Sequence, residues 1–320
     1  NAFLGDKTCT KIRKFVFDKN RLLSLASYPE CDDLNKRVFR TAKVSVCIAH
    51  ISKKIVNDHK FTLEVWKDKY KKEGFVATFN KKFIQKDIYY RVPALDNQGL
   101  NIYLKILNNP QVIQLQSIGK VFSGELDMTN HKKFFSEKKN NKHSSPILKG
   151  ANIQSFYVTN DTSQGKNEFL DAKSYLKDNQ STRSSSFQSD RIAMQGITSV
   201  PMKYRLVSSV VKKDYFLANS TNFIIKTSGD FTNNELVVYL NSNLLNWFFK
   251  VFSTNVNVNT YEINILPLLK FSKNNKDLIK KMFSEFNENN YLNFKEVLNG
   301  IVFKTFELDK KEIEYINSHF

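Results

Sequence analysis

Arginine, glutamine and asparagine carry the donor and acceptor patterns that match base edges. Arg suits guanine O6 and N7, and Asn or Gln suits adenine N6 and N7. Arg191 and Gln195 stand four apart in R-I-A-M-Q, which puts both on one side of a strand. Lys203 and Arg205 share a side across one residue. Asn152, Asn219 and Asn222 fall at strand or turn ends, where an Asn is as suited to capping a turn as to touching a base. Lys149, beside Gly150, suits phosphate, a contact that sets position and reads no sequence. Nearer the N-terminus, Phe39 lies in the basic run Lys36-Arg37-Val38-Phe39-Arg40. Its ring could stack on an unpaired base, with Arg37 and Arg40 on phosphates, or it could pack the loop.

Other chemistry has little support. There is no G-x-x-x-x-G-K, G-x-S-x-G or H-E-x-x-H. Glu125 and Asp127 have no paired carboxylate nearby in sequence and read as turn or polar-contact residues, not as a general acid and base. His50, His59, His131, His143 and His319 make no zinc-ligand spacing, so neither a metal site nor a catalytic residue is expected. Cys9, Cys31 and Cys47 are an odd set without C-x-x-C. Cys9 and Cys47 read as core thiols in a reducing, cytoplasmic setting.

The elements that must position these residues follow from periodicity. Asp6 can cap a helix over 7–19, with Cys9, Ile12, Phe15 and Val16 on one face. Segments 22–28 and 44–51 read as strands, and 61–66 alternates as an edge strand does. A Lys-rich stretch, 67–86, leads to a helix over 97–107 and a structured segment over 111–121. An exposed loop over 130–145, a helix over 167–177 and a Ser-rich loop over 181–189 precede four strands at 191–195, 205–211, 215–219 and 222–227. One long apolar helix spans 235–251, with Trp247, Phe248 and Phe249 in its core face. A polar turn over 253–259 follows, and helices over 275–289, 293–306 and 309–318 close the chain. No internal repeat is visible.

Several of these segments resemble, in order, parts of adenine-N6 DNA methyltransferases. Asn1-Ala2-Phe3-Leu4-Gly5 and its helix look like the segment after the catalytic strand, and Val38-Phe39-Arg40 with Val44-Ser45-Val46-Cys47-Ile48 is similar to the later motif of the sheet. Pro146 to Ile153 (P-I-L-K-G-A-N-I) resembles the start of a Taq-type target-recognition domain. Arg191-Ile192-Ala193-Met194-Gln195, the turn Ala218 to Asn222, the helix from Leu240-Asn241-Ser242 to Trp247-Phe248, and Asn259 to Pro267 resemble its later motifs. The resemblance is to type II restriction–modification enzymes that join methylation and cleavage in one polypeptide.

The resemblance implies an α/β and α+β fold: the C-terminal part of a Rossmann-like methyltransferase sheet over 1–90, a mixed strand-and-helix target-recognition domain over 91–272, and helical support over 273–320. It also implies a cytoplasmic, prokaryotic protein that recognises double-stranded DNA and a Phe39 that stacks on the flipped adenine. The parent would use S-adenosylmethionine, with Mg2+ only for a nuclease domain outside this chain. The family's Gly-rich cofactor loop and N-P-P-Y/F motif have no counterpart here. Asn109-Pro110-Gln111-Val112 lacks the second Pro and the aromatic. The chain is therefore expected to be a C-terminal fragment, inactive alone, that lacks the N-terminal methyltransferase half.

Charge agrees with a polyanion partner. Lys plus Arg is 49 against 31 for Asp plus Glu, a net +18. The balance is +10 over residues 1–90, +8 over 91–230 and zero over 231–320, so the basic surface is expected on the strand-rich part. Taken alone, the charge favours nucleic acid first, a solvated Lys-rich surface next and an anionic membrane surface last. No apolar run is long enough to span a bilayer. Two alternatives are a non-enzymatic nucleic-acid-binding scaffold and a stand-alone specificity subunit. The second would leave the sheet of residues 1–66 with exposed edges.

Overall fold

The computed structural model describes residues 2–28, 33–42, 44–161, 166–199, 202–253 and 256–319. Asn1, Cys31 and part of the turn over 253–259 lie outside the described residues. The chain divides into two compact units, 1–105 with 250–255, and 106–249 with 256–320.

In the first unit, Asp6 accepts from the Thr8 amide and starts a 3-10 turn that runs into α2 (Thr10–Lys19), after the short α1 (Ala2–Gly5). Strands β1 (Arg21–Tyr28), β2 (Val46–Ser52), β3 (Lys60–Trp66) and β4 (Gly74–Asn80) form a sheet in the order β2-β1-β3-β4. Only β1 and β3 are parallel. One face packs Leu25, Leu63, Ala77 and their neighbours against α2, with Phe61 stacked on Phe79. The opposite face carries the row Ile48, Ala26, Glu64, Val76, of which Ile48 and Val76 are exposed.

Three expectations for this unit are corrected. Strand β3 is interior, not an edge. The Lys-rich stretch holds β4 and α3 (Lys81–Gln85). Helix α2 buries Arg13, Val16 and Phe17, while Ile12 and Phe15 are exposed. The cause is Arg13: its guanidinium donates to the carbonyls of Phe3, Asp6 and Tyr89 at 2.8–3.0 Å. Three paired N–H groups make its burial tolerable and turn the helix onto that side.

Helix α4 (Asn97–Asn108) runs across the division and leads to β5 (Ile113–Gln114) and β6 (Gly119–Ser123) of the second unit. Strands β7 (Phe135–Ser136), β8 (Ser145–Leu148) and β9 (Glu168–Leu170) precede α5 (Ala172–Asp178). Strands β10 (Arg191–Gln195), β11 (Ser208–Val211), β12 (Phe216–Leu217) and β13 (Thr221–Lys226) follow. They make two four-stranded sheets, β11-β10-β13-β6 and β12-β8-β9-β7. The first is antiparallel throughout; the second has one parallel pair, β12 with β8. The expected strand over 205–211 is shortened to β11, and that over 215–219 to β12.

The long helix is two helices, α6 (Asn233–Asn241) and α7 (Asn243–Lys250), because Ser242 is extended at ψ 153°. Its hydroxyl accepts from the Leu245 amide and so caps α7. Trp247, Phe248 and Phe249 are buried. Two asparagines near the break hold the segment that leads into β11. Asn241 pairs with both the amide and the carbonyl of Ser208, as a neighbouring strand would. Asn246 Oδ1 accepts from the amides of Arg205 and Leu206 at 2.8 Å. Helices α8 (Thr260–Asn264), α9 (Lys273–Ser284), α10 (Tyr291–Thr305) and α11 (Lys310–Ser318) complete the unit. Among the described residues, no helix is long and apolar enough to cross a membrane.

Candidate nucleic-acid interface

The turn Ala218 to Ser220 is the hub of the second unit. A Cβ added at Gly124 would lie 1.9 Å from the Ala218 carbonyl oxygen, and one at Gly150 2.7 Å from that of Ser220. Only glycine permits such approaches. The Gly196 amide donates to the Ser220 carbonyl at 2.8 Å, and the Gly150 amide to the Ser220 hydroxyl at 2.9 Å. Ala218 donates to Leu148, and Asn219 to Leu126. Both sheets thereby meet at one turn.

Two clefts open beside this hub. The first, about 570 Å³, is bordered by Lys149, Gly150, Asp161, Gln195, Thr198 and Ser220. The second, about 540 Å³, is bordered by Tyr157, Lys203, Tyr204, Glu288 and Tyr291. Gln154, Gln195 and Met202 belong to both. The two glutamines hold the common wall through one turn: Gln154 Nε2 donates to Ala151 O at 2.9 Å, and Gln195 Nε2 to Ile153 O at 2.8 Å. Those carbonyl partners fix which way each amide faces, leaving Oε1 as the acceptor.

The structure places the expected contact residues unequally. Gln195 and Lys149 border the first cleft, and Gln195 and Lys203 the second. Asn219 is exposed at the hub. Lys149 is engaged with Glu168 at 2.6 Å and with the Lys166 carbonyl, so a phosphate would have to compete for it. In the first unit Phe39 is exposed within a turn, Arg37 is half-buried, and Arg40 donates to Asn35 at 3.3 Å.

Four expected base-contacting residues are structural instead. Arg191 is 2% exposed; it pairs with Glu125 at 2.6 Å, donates to Tyr215 O and Ser186 Oγ, and lies over the Phe223 ring. Arg205 is fully buried, with Nε on Thr198 Oγ1 at 2.7 Å. Asn152 accepts from the Lys149 amide and donates to Thr159 O, the turn-capping role. Asn222 sits within β13 and donates to Val258 O. In each case a polar group removed from water needs a fixed partner: Arg191 and Asn222 find theirs in distant segments, Asn152 and Arg205 close by in the chain.

Glu125 is the polar-contact residue its isolation suggests. It also accepts from the Leu217 amide. Burial pushes its carboxyl up against the opposing pull of Arg191, and burial pushes the Arg191 guanidinium down. Lys295, which no sequence motif marks, lies behind the second cleft. Its Nζ is 3.1 Å from the Tyr204 ring centroid and donates to Tyr291 Oη at 3.2 Å. Burial, with the charge of Lys203, lowers its ammonium to about 7, and burial lifts the Tyr204 hydroxyl to about 12. Among the described residues, no group of three His, Cys, Asp or Glu could hold a metal ion.

Residues 145–271 match the family model of the TaqI-like C-terminal specificity domain. No curated protein matches the chain. Among solved structures, the DNA complex of the type IIL restriction-modification enzyme MmeI is similar at 9% identity and a TM-score of 0.53, covering 94% of this chain and 46% of that one. The type IIG restriction endonuclease BpuSI is similar at 10% identity and a TM-score of 0.40, covering 95% and 46%. The S subunit of a type I restriction-modification system from M. genitalium is similar at 12% identity and a TM-score of 0.33, covering 55% and 39%. The chain spans about half the length, or less, of these three structures.

Proposed function

We propose that the second unit, whose residues 145–271 match the family model of the TaqI-like C-terminal specificity domain, reads the sequence of double-stranded DNA for a longer type II restriction–modification enzyme. The observation that carries this is the pair of adjoining clefts, walled by anchored amides and rimmed by lysines, at the turn where the domain's motifs meet. The +8 balance of residues 91–230 suits the phosphate backbone.

Gln195 is the principal base-edge contact in this proposal, and Lys203 a phosphate contact. Selection of duplexes from a random pool by the purified chain would test it. Gln195→Ala is expected to relax preference at one position by roughly 1–3 kcal/mol. Lys203→Ala is expected to weaken all duplexes alike and make the salt slope shallower by about one unit. A selection without sequence bias would remove the proposal.

The parent is proposed to methylate adenine N6 with S-adenosylmethionine, and the first unit to be the end of its catalytic sheet. Exposed Ile48 and Val76 support a sheet face that meets further protein. The residues here do not fit the cofactor. A Cβ at Gly5 or Gly74 would strike the backbone of Phe252 or Val65 at 2.1 Å, so neither glycine opens onto a phosphate or cofactor cradle. No step through the cofactor is therefore assigned to this chain, and any Mg2+ would serve a nuclease elsewhere. Exposed Phe39, between Arg37 and Arg40, is proposed to stack on the flipped adenine. Phe39→Ala in the full-length parent is expected to slow methylation by about tenfold or more, since stacking contributes about 1–3 kcal/mol. Single-turnover rates at saturating DNA would show it, and an unchanged rate would exclude Phe39 from the pocket.

A further inference from the structure

We infer that the second cleft is a stacking subsite for a single unpaired nucleobase, adjoining the first cleft and sharing the Gln154 and Gln195 wall with it. This rests on the DNA-reading proposal and adds a ligand to it.

Three tyrosines, Tyr157, Tyr204 and Tyr291, border this cleft, and each ring is held in place. Tyr204 Oη donates to Asn243 Oδ1 at 3.0 Å, and Tyr291 Oη accepts from Lys295. Tyr157 packs on Phe286 with ring centroids 6.2 Å apart. Its neighbour Phe156 is in the left-handed region at φ 76°. That backbone conformation is strained for a bulky residue, and it is held where Phe156 packs edge-on against Phe294 at 5.0 Å and Phe283 at 6.2 Å. Consecutive rings thus serve different purposes, Phe156 in the core and Tyr157 at the cleft.

Glu288 apart, the polar groups bordering the cleft suit a nucleotide. The ammonium of Lys295 lies over one ring face of Tyr204, so a base would stack only on a remaining cleft-facing surface. Gln154 and Gln195 present anchored amides along the wall, where an acceptor meets the exocyclic amine of adenine or cytosine. Exposed Lys203 borders the same cleft, at a place for the phosphate. Rigid rings cost little ordering on binding, and every base has a π-face to offer.

The test uses the full chain and three short mixed-sequence duplexes: one fully paired, one with a single bulged base, and one with 2-aminopurine as the bulged base. The bulged duplex is expected to bind more tightly than the paired one. Tyr157→Leu should erase that preference, a loss of roughly five- to hundredfold, while Tyr157→Phe keeps it. Thermal melts check that each variant folds. On wild-type protein, 2-aminopurine emission should fall on binding as the base stacks, which needs no variant. Paired and bulged duplexes bound equally, a rise in 2-aminopurine emission, or a preference that survives Tyr157→Leu would each overturn the subsite while leaving the DNA-reading proposal standing. Failure to bind any duplex would overturn both.

Discussion

Arg191→Ala should destabilise the second unit by about 3–5 kcal/mol, because it strands the buried Glu125 carboxylate without its charge partner. The substitution also removes donors to Tyr215 O and Ser186 Oγ. Glu125→Ala should cost a similar amount, since it leaves a buried guanidinium and the Leu217 amide without the carboxylate. The double variant Glu125→Leu, Arg191→Met should recover part of the loss. A buried ion pair contributes little over well-packed apolar groups once desolvation of both charges is counted. Recovery stays incomplete because the Leu217 amide and Tyr215 carbonyl still lack those partners. Urea melts of the four proteins give the coupling energy directly. An Arg191→Ala protein of wild-type stability with altered base preference would return Arg191 to the role of reading bases.

That contrast shows what a sequence can carry and what it cannot. R-I-A-M-Q announces a strand with two polar residues on one side, and β10 is that strand. Whether Arg191 meets a base or a carboxylate depends on Glu125, which is 66 residues away in the chain. Gln195, at the other end of the same strand, reaches the cleft because the turn Gly150–Asn152 and Ile153 stand where it ends. Local patterns locate β1, β2 and β3 well, since apolar runs bounded by polar turns, and the alternation in β3, leave a mark. Strand β4 hides among lysines that belong to the segments on either side of it. The break at Ser242 hides for a different reason: a run of apolar residues has the same composition in one helix or two. Asn241 at that break looks like a helix interruption and is a substitute for a missing strand partner of β11. Of the second cleft only Gln195 and Lys203 are marked in the sequence; its rings are not, because Tyr157, Tyr204, Tyr291 and Lys295 come from three separate segments.

Lys295 should make the stability of the second unit rise with pH across the alkaline side of neutrality. Its ammonium titrates near 7 in the folded chain against an ordinary value of 10.5, with burial as the main cause and Lys203 adding to it. The folded state therefore binds the proton less tightly than the unfolded one. Between these two values the unfolded chain carries the extra proton, so unfolding becomes harder as pH rises. Below about 7 both states are protonated and the slope vanishes. The Tyr204 ring face favours the charged form and offsets part of the burial cost, which makes the slope shallower but leaves its sign. Tyr204 itself stays protonated across this window, its hydroxyl being lifted to about 12. One proton contributes about 1.4 kcal/mol per pH unit at most, so urea melts from about pH 7.5 to 9.5 should show a gain of roughly 2 kcal/mol. Lys295→Met keeps the length of the side chain and removes the titrating group. It should be more stable than wild type at pH 7.5 and should lack this part of the slope. The difference between the two proteins isolates Lys295 from every other group that titrates there. Parallel pH profiles for wild type and Lys295→Met would mean that the amine is solvated and ordinary. The close approach of Lys295 to Tyr204 and Tyr291 would then be a surface contact, not a buried support beneath the second cleft.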